Sequence, residues 1–428
     1  MNRLICLLSI LLLLVLPILP AQAQTSDEIK VFINEQPVNL DESPFVQDNR
    51  TLVPFRPLAE AMQVNVAYQS STQRILAQGS NNTVTLTVGD QGANVNGEKI
   101  LLDVAPQIIN GRTFIPLRFF SEVFGCQVQW ISETRLIKIT LPPQEMEVIG
   151  FYALGDMQTS SWTNLFTTSY PETSKGNTEN ITGLAFGWYS LDQEGNLLTD
   201  SKTGWQRPDD YEAVLEAAKG YQMTTEMVVH MIDGDSSLTN LLNSQLAMER
   251  AIANIAKEAS LYRGVNLDFE GLGWQDKGEQ LVKTRDSFTY FVEMLSKQLK
   301  KEGLELTLSL HAPNSAYQGY DYKSLGSFAD RIIIMAYDYG VKPEPDAMVS
   351  QAVQGAMINV PANKLLLGIS LPSENPASLK SKINIARMYN LKGIALWRLG
   401  LLSNDMWSSL EASAQAKKLF NNENSARD

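Results

Sequence analysis

Cysteine is nearly missing from this 428-residue chain, which has only Cys6 and Cys126. Cys6 falls in an N-terminal apolar run and lacks the small-residue context of a lipoprotein cysteine. Cys126 is therefore the single thiol of the mature chain, and no intrachain disulfide can form. Its neighbours Val123, Phe124 and Val128 give it the setting of a small buried hydrophobe rather than a reactive thiol. Histidine is as scarce, with His230 and His311 only; the two lack the carboxylate spacing of a metal site, so neither a metal nor a cofactor is expected. Basic charge is outnumbered, 35 Lys and Arg against 47 Asp and Glu for a net charge of -12. This excludes the basic face that nucleic-acid phosphates demand, and also simple charge attraction to an anionic cell wall. No glycine-rich dinucleotide loop follows the first predicted strand of the larger domain, and no nucleophile elbow supports serine-histidine-aspartate catalysis.

What is present begins with export. Arg3, the apolar run from Leu4 to Leu19 and the small-x-small site Ala21-Gln22-Ala23 read as a secretory signal peptide over residues 1–23. The run is shorter than the roughly 20 apolar residues of a membrane span and contains Pro17. No comparable run follows, so no transmembrane segment is expected after the leader is removed, and the protein is expected to be secreted or associated with the cell envelope.

A repeat follows. Asn34, Arg50, Pro54, Arg56, Glu60 and Tyr68 recur as Asn96, Arg112, Pro116, Arg118, Glu122 and Trp130, every pair 62 positions apart. A constant offset over so many positions marks a tandem duplication. Each copy reads as a short hairpin, a proline-led helix and closing strands, with Phe55, Leu58, Ala59 and Met62 forming a helical apolar stripe. Thr83 to Val88 and Leu136 to Leu141 read as strands. The expected unit is an α+β domain over residues 30–142. Its twin Arg-Thr-x-[Val/Ile]-Pro-x-Arg motifs resemble the copper amine oxidase N-terminal-like domain of exported proteins from Gram-positive bacteria. A copper site is not implied, because both histidines lie outside this segment. Two readings stay open: a stalk or cell-wall attachment module, and a spacer without a ligand.

Pro142-Pro143-Gln144-Glu145 marks a linker, placed over residues 143–147. From there to residue 418, apolar runs rich in β-branched residues alternate with helical patterns, ahead of a polar tail over residues 419–428. Eight runs are predicted as strands: Val148 to Leu154, Gly183 to Tyr189, Glu226 to Met231, Gly264 to Phe269, Glu305 to Leu310, Arg331 to Tyr337, Lys364 to Ile369 and Gly393 to Trp397. Eight parallel strands in a segment of this size predict an α/β fold, a closed (β/α)8 TIM barrel, whose chemistry sits at the C-terminal ends of the strands.

The fourth strand carries the informative row. Side chains alternate along a strand, so Asn266, Asp268 and Glu270 share one face, about 6.6 Å between neighbours, while Val265, Leu267 and Phe269 share the other. Three polar groups facing a barrel interior are costly unless they have a task. The row resembles the Asp-x-x-Asp-x-Asp-x-Glu signature of glycoside hydrolase family 18. Met335-Ala336-Tyr337-Asp338 resembles that family's Met-x-Tyr-Asp motif, and Ala395-Leu396-Trp397-Arg398 its closing tryptophan segment. Two positions depart from the signature: Arg263 and Asn266 stand where the first two aspartates fall. The Gly-Val-Asn-x-Asp-Phe-Glu form is closer to the branch of spore-cortex and cell-wall N-acetylglucosaminidases.

The resemblance implies substrate-assisted, retaining hydrolysis of β-1,4 bonds beside N-acetylglucosamine. It makes Glu270 the proton donor, Asp268 the group that orients the 2-acetamido substituent, and Tyr337 a hydrogen-bond donor to the acetamido oxygen. Asp338 and Asn266 would hold the sugar and Trp397 would lie beneath it. Trp188 and Trp274, just beyond strands two and four, are further candidates to cover a sugar face, while His230 and His311 read as packing residues. The expected partner is a polysaccharide containing N-acetylglucosamine, peptidoglycan foremost, with chitin as the alternative. A reading from a different class stays open beside the enzyme: a catalytically silent carbohydrate-binding or envelope-organising protein.

Overall fold

The computed structural model describes residues 28–79, 82–153, 160–200 and 206–419. The expected leader, and the expected polar tail beyond residue 419, lie outside the described residues.

In the N-terminal domain the duplication is visible as two copies of the same element order. The first copy supplies strands Lys30–Ile33, Phe45–Gln47 and Arg50–Pro54, helix Phe55–Ala61 and strands Asn65–Gln69 and Arg74–Gln78. The second supplies Gly92–Val95, Gln107–Ile109, Arg112–Pro116, helix Leu117–Val123, Gln127–Ile131 and Leu136–Thr140. Each proline stands just before its helix, with φ of -55° at Pro54 and -63° at Pro116, rather than inside the first turn. The ring fixes φ where the chain leaves the strand, and the helix starts with the next residue.

The two copies interleave. Strand Arg50–Pro54 pairs with Arg112–Pro116, and the first strand of the domain, Lys30–Ile33, pairs in parallel with the last, Leu136–Thr140. One core serves both copies and includes Leu58, Phe120, Ile75 and Ile137. Cys126 belongs to it, and burial pushes its thiol up to about 12.

The larger domain is a closed barrel of eight parallel strands: β1 (Gln144–Tyr152), β2 (Gly183–Leu191), β3 (Thr224–Ile232), β4 (Gly264–Glu270), β5 (Glu305–His311), β6 (Arg331–Met335), β7 (Leu365–Ser370) and β8 (Gly393–Trp397). The ring closes because β1 pairs in parallel with both β2 and β8. At that seam a side chain on Gly393 would lie 1.9 Å from the Glu147 carbonyl oxygen, so only glycine fits. Residues 144–147, read from the sequence as linker, open β1, where Gln144, Glu145 and Met146 pair with Ala414–Ala416 and Glu147 pairs with Gly393. The prolines that signal a linker, Pro142 and Pro143, here stand immediately before that pairing.

Helices cover the barrel through apolar stripes. In Gly278–Lys301, Phe288, Phe291, Leu295 and Leu299 are buried, and in Gln245–Ala259 so are Met248, Ala251 and Ile255. These stripes meet the outward residues of the strands, among them Val265, Leu267 and Phe269 of β4, in one continuous core. Inside the barrel, Ile149, Ala185, Val228, Ile333, Leu366 and Ala395 form an apolar plug. Below the plug, at the N-terminal ends of the strands, Arg331 is 3% exposed and pairs with Glu147 (3.2 Å), Glu226 (2.5 Å) and Glu305 (2.8 Å). Burial alone would lower the guanidinium pKa, but the three carboxylates more than offset it and leave it raised.

The duplicated domain rests on the barrel's helical layer. The Gln36 amide donates to Asp346 (2.8 Å) and Ser381 (2.6 Å), Asn34 donates to Asn384 (3.3 Å), and Gln63 donates to the Arg387 carbonyl. These partners lie on helices Asp346–Met357 and Pro376–Met388.

Candidate active site

At the C-terminal ends of the strands the alternation of β4 brings two carboxyl groups to the barrel mouth. Asp268 is buried and Glu270 is partly open to solvent, with Phe269 turned outward between them into the core. Register places His230 of β3 beside Asp268. Its Nε2 lies 3.5 Å from one Glu270 carboxylate oxygen, and Nε2 of His311, at the end of β5, lies 3.7 Å from the other. Both histidines, read from the sequence as packing residues, flank the expected proton donor.

The two imidazoles differ in state. The Gly271 backbone N–H donates to His311 Nε2 at 3.3 Å, and the ring stacks on Tyr317 with centroids 4.0 Å apart. Nε2 thus acts as an acceptor, which fits a neutral ring; burial lowers the His311 pKa further than the Glu270 and Asp338 charges raise it. For His230, burial also lowers the pKa, but the hydrogen bond to Glu270 and the charges of Asp268 and Glu270 raise it more, and the net shift is upward. His230 is therefore the imidazole that holds a proton against Glu270.

The carboxyls separate, with Asp268 raised and Glu270, the proton donor that the resemblance implies, lowered. Burial, then the charge of Glu270, pushes Asp268 up to about 8 against a partial opposing pull from His230. Burial pushes Glu270 up as well, but the hydrogen bond and charge of His230, with His311 behind them, bring it below the usual carboxylate range. The resting pair near neutral pH is a protonated Asp268 and an ionised Glu270, two acids whose environments drive them apart. One Asp268 carboxyl oxygen has no hydrogen-bond partner. Tyr337 reaches the same group of charges: burial first, then Asp268, Glu270 and Asp338, raises its hydroxyl well above its ordinary value.

His230, Asp268 and Glu270 each offer a ligand atom within 4.8 Å of the others, a set that could hold a metal ion. Spacing in sequence conceals it, because the three come from two adjacent strands.

The remaining candidates divide. Trp397 ends β8 facing the barrel interior, its ring edge-on to Phe151 at 5.3 Å. Asp338 is exposed just past β6 in a left-handed conformation, φ 64°, with its N–H donating to Glu344 at 3.1 Å. Trp274, on the loop after β4, is 60% exposed. Trp188 is 0% exposed and packs against Phe186 at 4.3 Å in the layer between strands and helices. It follows Leu184 and Phe186 on the outward side of β2, opposite the inward Ala185, and the indole has no face to offer a sugar.

Asn266 is fully buried and both ends of its amide are engaged: Nδ2 donates to Glu226 at 3.2 Å and Oδ1 accepts from the Ser309 hydroxyl at 2.9 Å. Its amide is thus held by neighbouring strands inside the barrel. It links the mouth to the floor, since Glu226 also binds Arg331 and the Thr307 hydroxyl. Arg263, the other departure, lies below β4 and pairs with Glu305 at 2.8 Å. Glu226 and Arg331 went unnoticed in the sequence, although each begins an inward-facing alternation, Glu226-Val228-His230 and Arg331-Ile333-Met335.

Known proteins add to this geometry. Residues 161–373 match the family Glycosyl hydrolases family 18, and residues 32–139 match the Copper amine oxidase N-terminal domain. The chain is 29% identical to the candidate sporulation-specific glycosylase YdhD of Bacillus subtilis (strain 168), over 41% of this chain and 41% of that protein. It is 23% identical to the cortical fragment-lytic enzyme of the same organism, over 39% of this chain and 54% of the relative. The chain thus spans about half the length of these curated relatives. Among solved structures, the spore cortex-lytic enzyme SleL of Bacillus megaterium QM B1551 shares the fold with a TM-score of 0.53 at 18% identity, covering 74% of this chain and 80% of that one.

Proposed function

The barrel belongs to the glycosyl hydrolases of family 18, and from that membership we propose that the chain hydrolyses β-1,4 bonds beside N-acetylglucosamine in a cell-wall polymer, peptidoglycan foremost. The observation that carries the proposal is the carboxyl pair at the mouth of the barrel, one member neutral and the other ionised, with His230 against the ionised one.

In this reading the substrate's own acetamido oxygen attacks the anomeric carbon and the protein supplies the proton and the counter-charge. At rest the proton sits on Asp268. As positive charge develops on the acetamido-derived ring, an ionised Asp268 beside it becomes favourable and a protonated Glu270 becomes the better leaving-group acid. The proton therefore passes within the pair in the direction the reaction needs. After the leaving group departs, Glu270 is again a carboxylate and accepts a proton from the attacking water. Tyr337 donates its hydroxyl proton to the acetamido oxygen, Trp397 lies under the sugar, and Asp338 and Trp274 contact it from the rim.

The two departures from the signature do not argue for a silent barrel. Arg263 is bound to Glu305 away from the mouth and Asn266 to Glu226 and Ser309, so the contact of His230 with Glu270 involves neither of them. The relatives' names, a cortical fragment-lytic enzyme among them, support peptidoglycan over chitin. A polymer outside the cell requires export, which fits the leader; among the described residues no helix is long and apolar enough to cross a membrane. The duplicated domain, in the same reading, keeps the barrel on the wall.

The test is Glu270→Gln with peptidoglycan and with chitin oligomers, reading new reducing ends by mass spectrometry. Release should fall by at least ~10²-fold with the melting temperature unchanged. Release at the wild-type rate would remove Glu270 from its role.

A further inference from the structure

The duplicated domain carries two clefts, of about 410 and 470 Å³, that are copies of each other. In the first, Pro54, Arg56 and Tyr68 of the first copy face Ile108 and Arg112 of the second. In the other, Pro116, Arg118 and Trp130 of the second copy face Val46 and Arg50 of the first. A shift of 62 positions converts each residue of one set into its counterpart. The shift also carries over the ion pairs: Arg112 binds Asp41 at 2.5 Å and Arg50 binds Asp103 at 2.6 Å.

The fold alone does not require these similarities. Several core pairs have diverged, as Leu52 to Phe114, Met62 to Phe124 and Val64 to Cys126, although Ile75 and Ile137 are the same, whereas the more accessible Asp41, Arg50 and Arg56 are all identical to Asp103, Arg112 and Arg118. The aromatics are 39% exposed at Tyr68 and 41% at Trp130, and neither belongs to the shared core. A large ring left in the open at both related positions, beside a guanidinium–carboxylate pair, is costly surface unless something covers it.

We propose that the two clefts are a duplicated glycan-binding site, each holding a sugar of the same polymer strand. The aromatic face covers the apolar face of a pyranose, while the guanidinium donates to its hydroxyls and the carboxylate accepts from them. The charges favour a neutral ligand, since Arg50 and Arg118 are balanced by Asp103 and Glu122 in one cleft, and in the other Asp41 leaves a surplus of a single arginine over Arg56 and Arg112. A nucleic acid or an anionic membrane would need a larger basic surplus. Two equivalent sites on one domain with a shared core also suit a ligand that repeats, and a long strand occupying both gains by effective concentration without any new contact.

This inference rests on the reading of the chain as a protein that acts on a wall glycan, and its test separates the two. Full-length Glu270→Gln protein, so that polymer is not consumed, is sedimented with insoluble peptidoglycan stripped of secondary polymers, with unstripped peptidoglycan and with chitin. Tyr68→Ala and Trp130→Ala are each expected to weaken retention about 10-fold and the pair together ~100-fold or more, as for loss of one and then both arms of a bivalent contact. With Glu270 restored, the double variant should turn over soluble oligomers at the parental rate and melt at the parental temperature. Loss from stripped peptidoglycan, from chitin or from both supports the proposal and identifies the glycan. Retention of the double variant at the parental level would overturn it, as would retention that disappears for the parent when secondary polymers are removed. A failure of turnover in the parent would strike the hydrolase reading alone.

Discussion

Asp268→Asn tests the electrostatics of the mouth most directly. Asp268 would ordinarily ionise near 3.8 and in the folded chain does so near 8. Between those values the folded chain holds a proton that the unfolded chain has released, so stability falls as pH rises and levels off above the folded value. At about 1.4 kcal/mol per pH unit, keeping this acid neutral costs the fold on the order of 4 kcal/mol at pH 7. Asparagine does not titrate, so it removes the pH-dependent cost, while leaving one buried polar group short of a partner costs ~1–3 kcal/mol at every pH. The variant should therefore be close to wild type or less stable at pH 4.5 and more stable at pH 8, and inactive at both. Between pH 5 and 8 the difference should grow by about 4 kcal/mol, or ~8 °C in melting temperature for a domain of this size. Thermal melts of both proteins across that range measure it. A difference that does not change with pH would show that Asp268 is not held neutral and would refute the proton assignment within the pair.

Three further outcomes follow from the same structure. The pH profile of kcat/KM should have an alkaline limb near 8, where the pair loses its shared proton, and His230→Gln should change the profile's shape, not only its height, because it removes the group that holds Glu270 ionised. Trp188→Ala should lower stability by ~3–5 kcal/mol as a core truncation, whereas Trp397→Ala should raise KM with less loss of stability; urea melts and steady-state kinetics distinguish them. Arg331→Met should destabilise by ~3–5 kcal/mol, because it leaves buried carboxylates without their counter-charge, and a melting temperature within 2 °C or so of wild type would contradict the pairing.

The barrel was legible because its strands are apolar runs of the right length, and β4 because one polar residue in two stands out against an apolar strand. The expected run Arg331 to Tyr337 extends past the observed strand, which ends at Met335. Beyond it the chain turns toward the left-handed Asp338, a change of backbone that composition does not signal. Trp188 defeated the reading because it lies within β2, which runs on to Leu191, and shares the outward side of that strand with Leu184 and Phe186, opposite the inward Ala185. Asn266 looked like a mouth residue for its polarity, yet its partners Glu226 and Ser309 come from β3 and β5 and are distant in sequence. The same holds for His230 and His311, whose closeness to Glu270 depends on the stagger between neighbouring strands. Local patterns record which way a side chain points, whereas the meeting of groups from three strands is a property of the closed ring.

The pairing of Lys30–Ile33 with Leu136–Thr140 has a practical side for anyone cutting this gene. A truncation between the two copies would strand an open edge on each half and split a shared interior, so half a domain is expected to be insoluble. The whole, with its first and last strands closing on each other, is suited to grafting onto an unrelated carrier as a single cassette whose entry and exit lie at opposite ends of that strand pair.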